Sequence, residues 1–366
     1  MGWGGQEMRI LSDCRGLMAR DHKAVIVCPP GSRIAERAIE EKIPVIRMPM
    51  SRGRMALDIA VAQALLRRYN VDIVNTHSAT DSWIFGIAGR MVRAKVVRTR
   101  HLSHPIRRGI ASSLLYGRIP NAIVTTGESI RRTMIDVNRV RADRIISIPT
   151  GADLKRFDPQ SVSADGARGE LGIPADAPVI ITVAMLRAMK GHRYLVEAAP
   201  RVLDAVANAR FLFVGDIPSA SPLRDQIEQR IRELGLEGSF ILAGLREDVP
   251  SLLAASDIMA LPSIEGEGVP QSVTQAMAMA LPVVASDVGS VSDAVVGGET
   301  GLLVPPRDPD ALAGSLIKLL QDKILARRMG AAGRKLVETS FSAEQTINRT
   351  IALYEALLAG RPIAGI

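Results

Sequence analysis

VIITVAMLRAMKGH, residues 179–192, runs from an apolar stretch through a cationic loop toward a helix. Its first five residues are apolar or β-branched, the composition of a strand covered on both faces. From His192 onward the apolar residues recur at helical spacing. Strand, short loop and helix make a βα unit, and such units in series build a parallel sheet layered with helices. The unit repeats downstream, with strands expected at 179–185, 210–214, 240–243, 257–261, 282–285 and 301–304. Helices are expected at 192–207, 223–234, 250–255, 271–280 and 310–320, and two more at 323–339 and 343–358 close the chain.

Upstream the same rhythm holds. Short apolar runs at 24–28, 45–48, 72–76, 95–99, 122–126 and 145–148 alternate with amphipathic stretches at 35–41, 55–69 and 82–92. Between the two series, residues 158–178 are rich in Asp, Pro, Gly and Ala and read as a linker or peripheral loop. The expectation is an α/β protein of two doubly wound, Rossmann-like domains facing across a cleft. They span 1–157 and 179–342, with 158–178 linking them and 343–366 packing back as a helix toward the first. Ligands of such sheets sit outside the C-terminal strand ends, so the loops there are expected to carry the function. The opening departs from the pattern. Residues 6–20 look like the first helix, the Gly-rich turn 2–5 stands just before it, and no apolar strand precedes that turn. Either this start is internal or the domain lacks its first strand, which would leave sheet edges exposed.

With 366 residues, 47% hydrophobic and 23% charged, the chain can bury two cores and is not disordered. Two cysteines, Cys14 and Cys28, are too few for a disulfide framework or a four-ligand zinc site. No run approaches about 18 apolar residues, and the opening is not a signal peptide, so a cytoplasmic setting is expected. The net charge of +8 is uneven: residues 1–160 carry +13 and the remainder −5. A basic half points to an anionic partner. Aromatics at 3% offer few stacking platforms, so no nucleic acid is expected. An anionic membrane surface fits better. Residues 103–120 (SHPIRRGIASSLLYGRIP) set Arg107, Arg108 and Arg118 among Ile106, Ile110, Leu114, Leu115 and Tyr116 at near-helical spacing. That pattern suits an interfacial helix, and equally a core-facing helix with a solvated basic face.

Four loops carry candidate chemistry. In the Gly-rich turn 2–5, Gly4 and Gly5 would let backbone N–H groups approach a phosphate at a helix N-terminus, though such a turn is often only a turn. In residues 186–192, Arg187 and Lys190 offer fixed positive charge suited to a diphosphate and to its departure. The same two cations also suit a solvated loop. In residues 263–278 (SIEGEGVPQSVTQAMA), amides at Gly268 and Val269 could face phosphate or sugar oxygens, and Glu267 could accept from sugar hydroxyls. Gln275 lies eight positions beyond Glu267, about two turns into the helix. Residues 98–103 (RTRHLS) end a strand and hold His101. His77 ends another, while His22 and His192 stand at helix ends and read as structural.

These loops resemble those of the retaining, GT-B-fold glycosyltransferases of family 4. That family shows a Glu, seven residues, then a second Glu followed by Ala-Met-Ala. Here Glu267 holds the first place and Gln275-Ala-Met-Ala278 the second, with Gln for Glu. Residues 149–157 (PTGADLKRF), 244–249 (GLREDV) and 282–289 (PVVASDVG) also resemble family segments. The resemblance implies that Glu267 contacts the donor sugar and Gln275 the ribose, without the second carboxylate's charge. It places His101 near the donor sugar and the departing group, His77 toward the acceptor, and Leu245 and Arg246 on the donor side. The family's Arg five residues before the Lys is Met185 here, so Arg187 is the substitute. Glu265 rivals Glu267 for the first acidic place, and the spacing to the helix favours Glu267. Asp308-Pro-Asp310 reads as a helix start, not a metal site, so neither metal nor cofactor is expected.

The expected activity is transfer of a sugar from a nucleotide sugar to an acceptor hydroxyl with retention. The acceptor would be a bacterial envelope glycan, such as lipopolysaccharide or a lipid-linked oligosaccharide, met at the inner face of the cell membrane. Two alternatives stay open: a GT-B-shaped binding protein without turnover, motivated by the absent first strand, Met185 and Gln275, and a sugar-nucleotide epimerase.

Overall fold

The computed structural model describes residues 4–101, 106, 109–215 and 222–366. It divides into two compact units, one of Met1–Thr150 with Glu344–Ile366, the other of Gly151–Ala343.

In the first unit the helix Gly5–Met18 comes first, and no strand precedes it among the described residues. Six strands follow: β1 (Ile26–Cys28), β2 (Val45–Arg47), β3 (Ile73–Thr76), β4 (Lys95–Arg100), β5 (Ala122–Thr125) and β6 (Ile145–Ser147). All pairings are parallel, but they make two separate sheets, β1–β2 and β3–β4–β5–β6. In a doubly wound domain the strands run as one sheet, so this unit departs from that pattern. Side chains of β4–β6 alternate between faces, as the pleat requires. Val97, Val124 and Ile146 join Leu353, Ala356 and Leu357 of the helix Ala343–Leu358. Ile123 and Ile145 join Ile130 and Met134 on the other side.

A buried ion pair supports this unit. The Arg9 Nε donates to both carboxylate oxygens of Asp13 at 2.7–2.8 Å, and its Nη1 reaches the Ile148 carbonyl and Thr150 Oγ1. Only a guanidinium with several fixed partners is tolerated at 2% exposure.

The second unit has one parallel sheet of six: β7 (Val179–Val183), β8 (Arg210–Val214), β9 (Phe240–Gly244), β10 (Ile258–Leu261), β11 (Val283–Ser286) and β12 (Gly301–Val304). Their order is β12-β11-β10-β7-β8-β9. Val179, Ile181, Met259, Leu261, Val283 and Ala285 fill one face, and Ile180, Ile258, Ala260 and Val284 the other. This doubly wound order reverses direction between β7 and β10, and the crevice at their C-terminal ends is the topological switch point.

The expected boundaries need correction. The first unit's initial segment ends at Thr150, not 157, because Ala152 and Phe157 are buried in the second unit's core and Ala152 bridges to Ser342. Nor is 158–178 a linker: it holds the helix Asp165–Glu170 and buries Ala167, Ile173 and Ala177 in that core. Asp308 caps the helix Pro309–Gln321 by accepting from the Ala311 N–H at 2.9 Å, as its place just before Pro309 predicts. Of the basic segment 103–120, residues 103–105, 107 and 108 lie outside the described residues. In the rest, Leu115 and Tyr116 are buried while Ile110 is exposed. Arg98 and Arg100 donate to the Tyr116 hydroxyl at 2.8 and 3.0 Å. No described helix is long and apolar enough to cross a membrane.

Candidate active site

The loops after β7 and β10 meet at the switch point of the second unit. The Ile264 N–H donates to the Met189 carbonyl at 2.8 Å, tying one loop to the other. Gly191 lies in the left-handed region at φ 67°, and a Cβ there would stand 1.8 Å from the Pro262 carbonyl oxygen. Only glycine lets the two loops approach this closely.

The approach brings Lys190 against Glu267. The Lys190 Nζ lies 2.5 Å from Glu267 Oε1, and the Ser263 hydroxyl donates to the same oxygen at 2.5 Å. Glu267 is 4% exposed, whereas Glu265 is exposed to solvent, so the structure distinguishes the two acidic candidates. The Glu267 carbonyl accepts from the Ser290 N–H at 3.1 Å, so the loop after β11 fixes the residue from its other side. Gly268 and Val269 are buried next to it, and the helix Gln271–Ala278 begins two residues later with no side-chain cap on its N-terminus. Gln275 is half-buried in that helix. An ammonium, a carboxylate and a helix N-terminus at one crevice can receive an anion and a hydroxyl side by side.

Other expected residues stand apart from this cluster. Arg187 is exposed at the start of the loop. The Arg246 guanidinium is engaged by Glu170 and Asp248 at 2.5–2.9 Å, beyond the end of β9, which holds it firmly protonated. Leu245 is 45% exposed. Gly4 and Gly5 belong to the first unit, where the Glu7 carboxylate accepts from the Gly4 N–H at 3.0 Å. The Gly4 amide is thus engaged within its own helix start; residues 2 and 3 of the same turn lie outside the described residues.

In the first unit, His77 follows β3 and His101 follows β4, and the topology sets them side by side. His77 Nδ1 and His101 Nε2 are 3.0 Å apart, and the rings stack at a centroid distance of 5.3 Å. Sequence spacing of 24 residues gave no sign of this contact.

His192 is structural, as its place at a helix start implied. It is 2% exposed, edge-on to Phe213 at 5.1 Å, and among the described residues neither ring nitrogen has a hydrogen-bond partner. Burial first, then the neighbouring Lys190 charge, pushes its pKa down to about 4; the Ala184 carbonyl acts weakly the other way, without hydrogen-bond geometry. An unfolded histidine titrates near 6.5. The unfolded chain therefore binds a proton that the fold excludes, and stability falls as the pH drops from about 6.5 toward 4, by roughly 1.4 kcal/mol per unit. Urea melts at pH 7 and pH 5 are expected to show a smaller loss for His192→Leu than for the parent chain. An identical loss in both would exclude His192 as a source of the acid sensitivity.

Ser263 and the loop around Gly289 hold Glu267 in place, and motif reading left them without a role. Their signal was modest: a polar side chain at a buried strand end, and a glycine after a strand. Two family models match the chain, Glycosyltransferase Family 4 over residues 3–156 and Glycosyl transferases group 1 over residues 164–336. The two matches together span most of the chain, and both are to glycosyltransferase families. A D-inositol 3-phosphate glycosyltransferase of Nocardia farcinica is 31% identical over 71% of the chain and 61% of its own length. The match thus spans about three fifths of that relative. The UDP-Gal:alpha-D-GlcNAc-diphosphoundecaprenol alpha-1,3-galactosyltransferase of Escherichia coli is 26% identical over 79% of the chain and 76% of its own length. Among solved structures, a glycosyltransferase of Rickettsia africae superposes with a TM-score of 0.88, covering 97% of this chain and 95% of that one at 23% identity. HepE of Anabaena, solved in complex with UDP, gives 0.84 over 97% and 96% at 22% identity. These likenesses establish the GT-B fold.

Proposed function

We propose that this glycosyltransferase moves a sugar from a nucleoside diphosphate donor to an acceptor hydroxyl with retention of anomeric configuration. The observation that carries the reading is the Lys190–Glu267–Ser263 cluster at the switch point of the second unit. With the donor bound, Lys190 turns from Glu267 to the diphosphate, and Glu267 accepts from hydroxyls of the sugar. The amides at Gly268 and Val269 and the N-terminus of the helix Gln271–Ala278 take phosphate oxygens, Gln275 the ribose, and Arg187 adds charge at the rim. Leu245 and Arg246 lie on the donor side through their backbone, since the Arg246 guanidinium is already engaged. Gly4 and Gly5 contribute amides once Glu7 gives way.

As the glycosidic bond breaks, positive charge grows on the sugar and negative charge on the leaving diphosphate. Fixed donors aimed at that developing charge lower the barrier. His101 donates to the departing group. Glu267 is then taken up by the Ser263 hydroxyl and by hydroxyls of the sugar, so in this reading no carboxylate of the cluster serves as a covalent nucleophile and the acceptor attacks from the face the diphosphate leaves. Neutralisation by Lys190 and the amides makes a divalent ion unnecessary in this reading. The acceptor is an envelope glycan or a lipid-linked sugar at the inner membrane face. Support comes from the +13 charge of residues 1–160 and from the Escherichia coli relative, whose name gives a diphosphoundecaprenol-linked acceptor.

The test is a melting-temperature screen with UDP-, GDP- and ADP-linked sugars, followed by turnover of the binder in EDTA with and without lipid-linked acceptors. A donor at 100 times its Kd adds about 2.7 kcal/mol to stability, a rise of a few degrees. Binding with transfer, undiminished by EDTA, is expected. Binding without turnover would make the chain a nucleotide-sugar-binding protein, and conversion of donor without acceptor would make it an epimerase.

A further inference from the structure

The contact between His77 and His101 has a direction that the reaction needs. His101 meets His77 through Nε2, so the nitrogen left for a ligand is Nδ1. For Nδ1 to donate from a neutral ring, Nε2 must be bare and must accept. The group facing it is His77 Nδ1, 3.0 Å away, which can supply the proton. A free imidazole in water favours the opposite form, protonated at Nε2, so His101 needs a partner to hold it in the Nδ1–H form.

We propose that His77 is a positioning residue for His101: its Nδ1–H donates to His101 Nε2 and so fixes His101 as an Nδ1–H donor toward the leaving group. This rests on the reading of His101 as a donor contact. The frame around His77 is built for the task. Its backbone N–H donates to Asp81 Oδ2 at 2.9 Å, and Asp81 also accepts from the Ser78 N–H, capping the helix Ala79–Met91. His77 is thereby anchored at the junction of β3 and that helix, on the strand neighbouring the one that carries His101.

The surroundings also keep both rings neutral. Burial, then the cations of Arg9 from the helix Gly5–Met18 and Arg98 from β4, push His77 down to about 3. Burial, then His77 and Arg9, hold His101 well below its ordinary value. Asp81, the acid facing His77, is turned to backbone amides and does not reach the ring by a hydrogen bond. Two neutral rings share one proton between them, and the direction of that bond decides the tautomer of each.

The amide of asparagine superposes on the Nδ1 side of histidine, and that of glutamine on the Nε2 side. His77→Asn therefore keeps a donor facing His101, while His77→Gln moves it away. In the full chain with ¹⁵N-labelled histidine, two-bond proton–nitrogen spectra are expected to show His101 as Nδ1–H in the parent and in His77→Asn. In His77→Gln the signal is expected to move to Nε2–H, with kcat falling about tenfold and the donor KM unchanged; His77→Asn keeps most of kcat. A parent His101 in the Nε2–H form, or an unmoved tautomer in His77→Gln, overturns the proposal. So does a moved tautomer with unaltered kcat. His101→Asn is the separate arm: if it transfers sugar normally, the reading of His101 as a donor contact fails, whatever the tautomer spectra show.

Discussion

Replacing Lys190 with alanine is expected to lower kcat/KM about 10²–10³-fold, the usual effect of deleting one electrostatic donor to a leaving group. Lys190 ends the loop after β7 at the point where the sheet order reverses, and its ammonium already rests on a carboxylate 2.5 Å away. A diphosphate entering the crevice presents the same chemistry as that carboxylate with more charge, so the ammonium transfers to it. Glu267→Ala should fall by a similar factor for the complementary reason, since the sugar then loses its acceptor. The fold is expected to survive both. Lys190→Ala leaves Glu267 buried with only Ser263 as a charge-relevant partner, which costs stability, while the 22% exposure of the Lys190 side chain lets water offset part of the loss. A lower melting temperature with intact circular dichroism is therefore expected for Lys190→Ala. Glu267→Gln keeps the shape and the Ser263 contact and separates charge from packing. Transfer rates near the parent's in both alanine variants would remove Lys190 and Glu267 from the site.

The strands were legible because parallel strands buried on both faces are continuous apolar runs: 210–214 and 301–304 match β8 and β12 to the residue. The apolar run 179–185 outlasts its strand, since β7 ends at Val183. There the chain leaves the sheet, and Gly215 approaches so closely that a Cβ would lie 2.0 Å from the Ala184 carbonyl oxygen. The segment 158–178 misled because its composition is that of a loop, while Ala167, Ile173 and Ala177 are small enough to pack without a visible apolar period. Lys190 and Glu267 are 77 residues apart and were joined by family spacing; the physical reason for their meeting is topology, since β7 and β10 pair directly. Arg9–Asp13 shows the opposite limit. Its i,i+4 spacing is ordinary on any helix surface, and only the fold reveals that this pair is buried.

Gly289→Ala is expected to cost transfer on the order of 10²-fold without touching any group that meets substrate. Gly289 sits at φ 60°, where an L side chain costs about 1–2 kcal/mol by itself. A Cβ there would also lie 2.1 Å from the Glu267 carbonyl oxygen and 3.1 Å from the Glu267 nitrogen. Both atoms are backbone, so no rotamer change relieves the clash; the loop after β11 or the loop carrying Glu267 must move. The neighbouring hydrogen bond from the Ser290 N–H to the same carbonyl, 3.1 Å long, transmits that movement directly. Displacing a positioned group by about 1 Å is enough for a loss of that size. Gly298→Ala supplies the comparison. It has φ 84° and no atom within 4 Å of the added carbon, so it carries the conformational penalty without the clash. Both variants are expected to melt lower than the parent, Gly289→Ala by more, and only Gly289→Ala should lose kcat/KM. Equal activities in the two would mean that Glu267 tolerates displacement, and a carboxylate that tolerates displacement is not the one that grips the donor sugar.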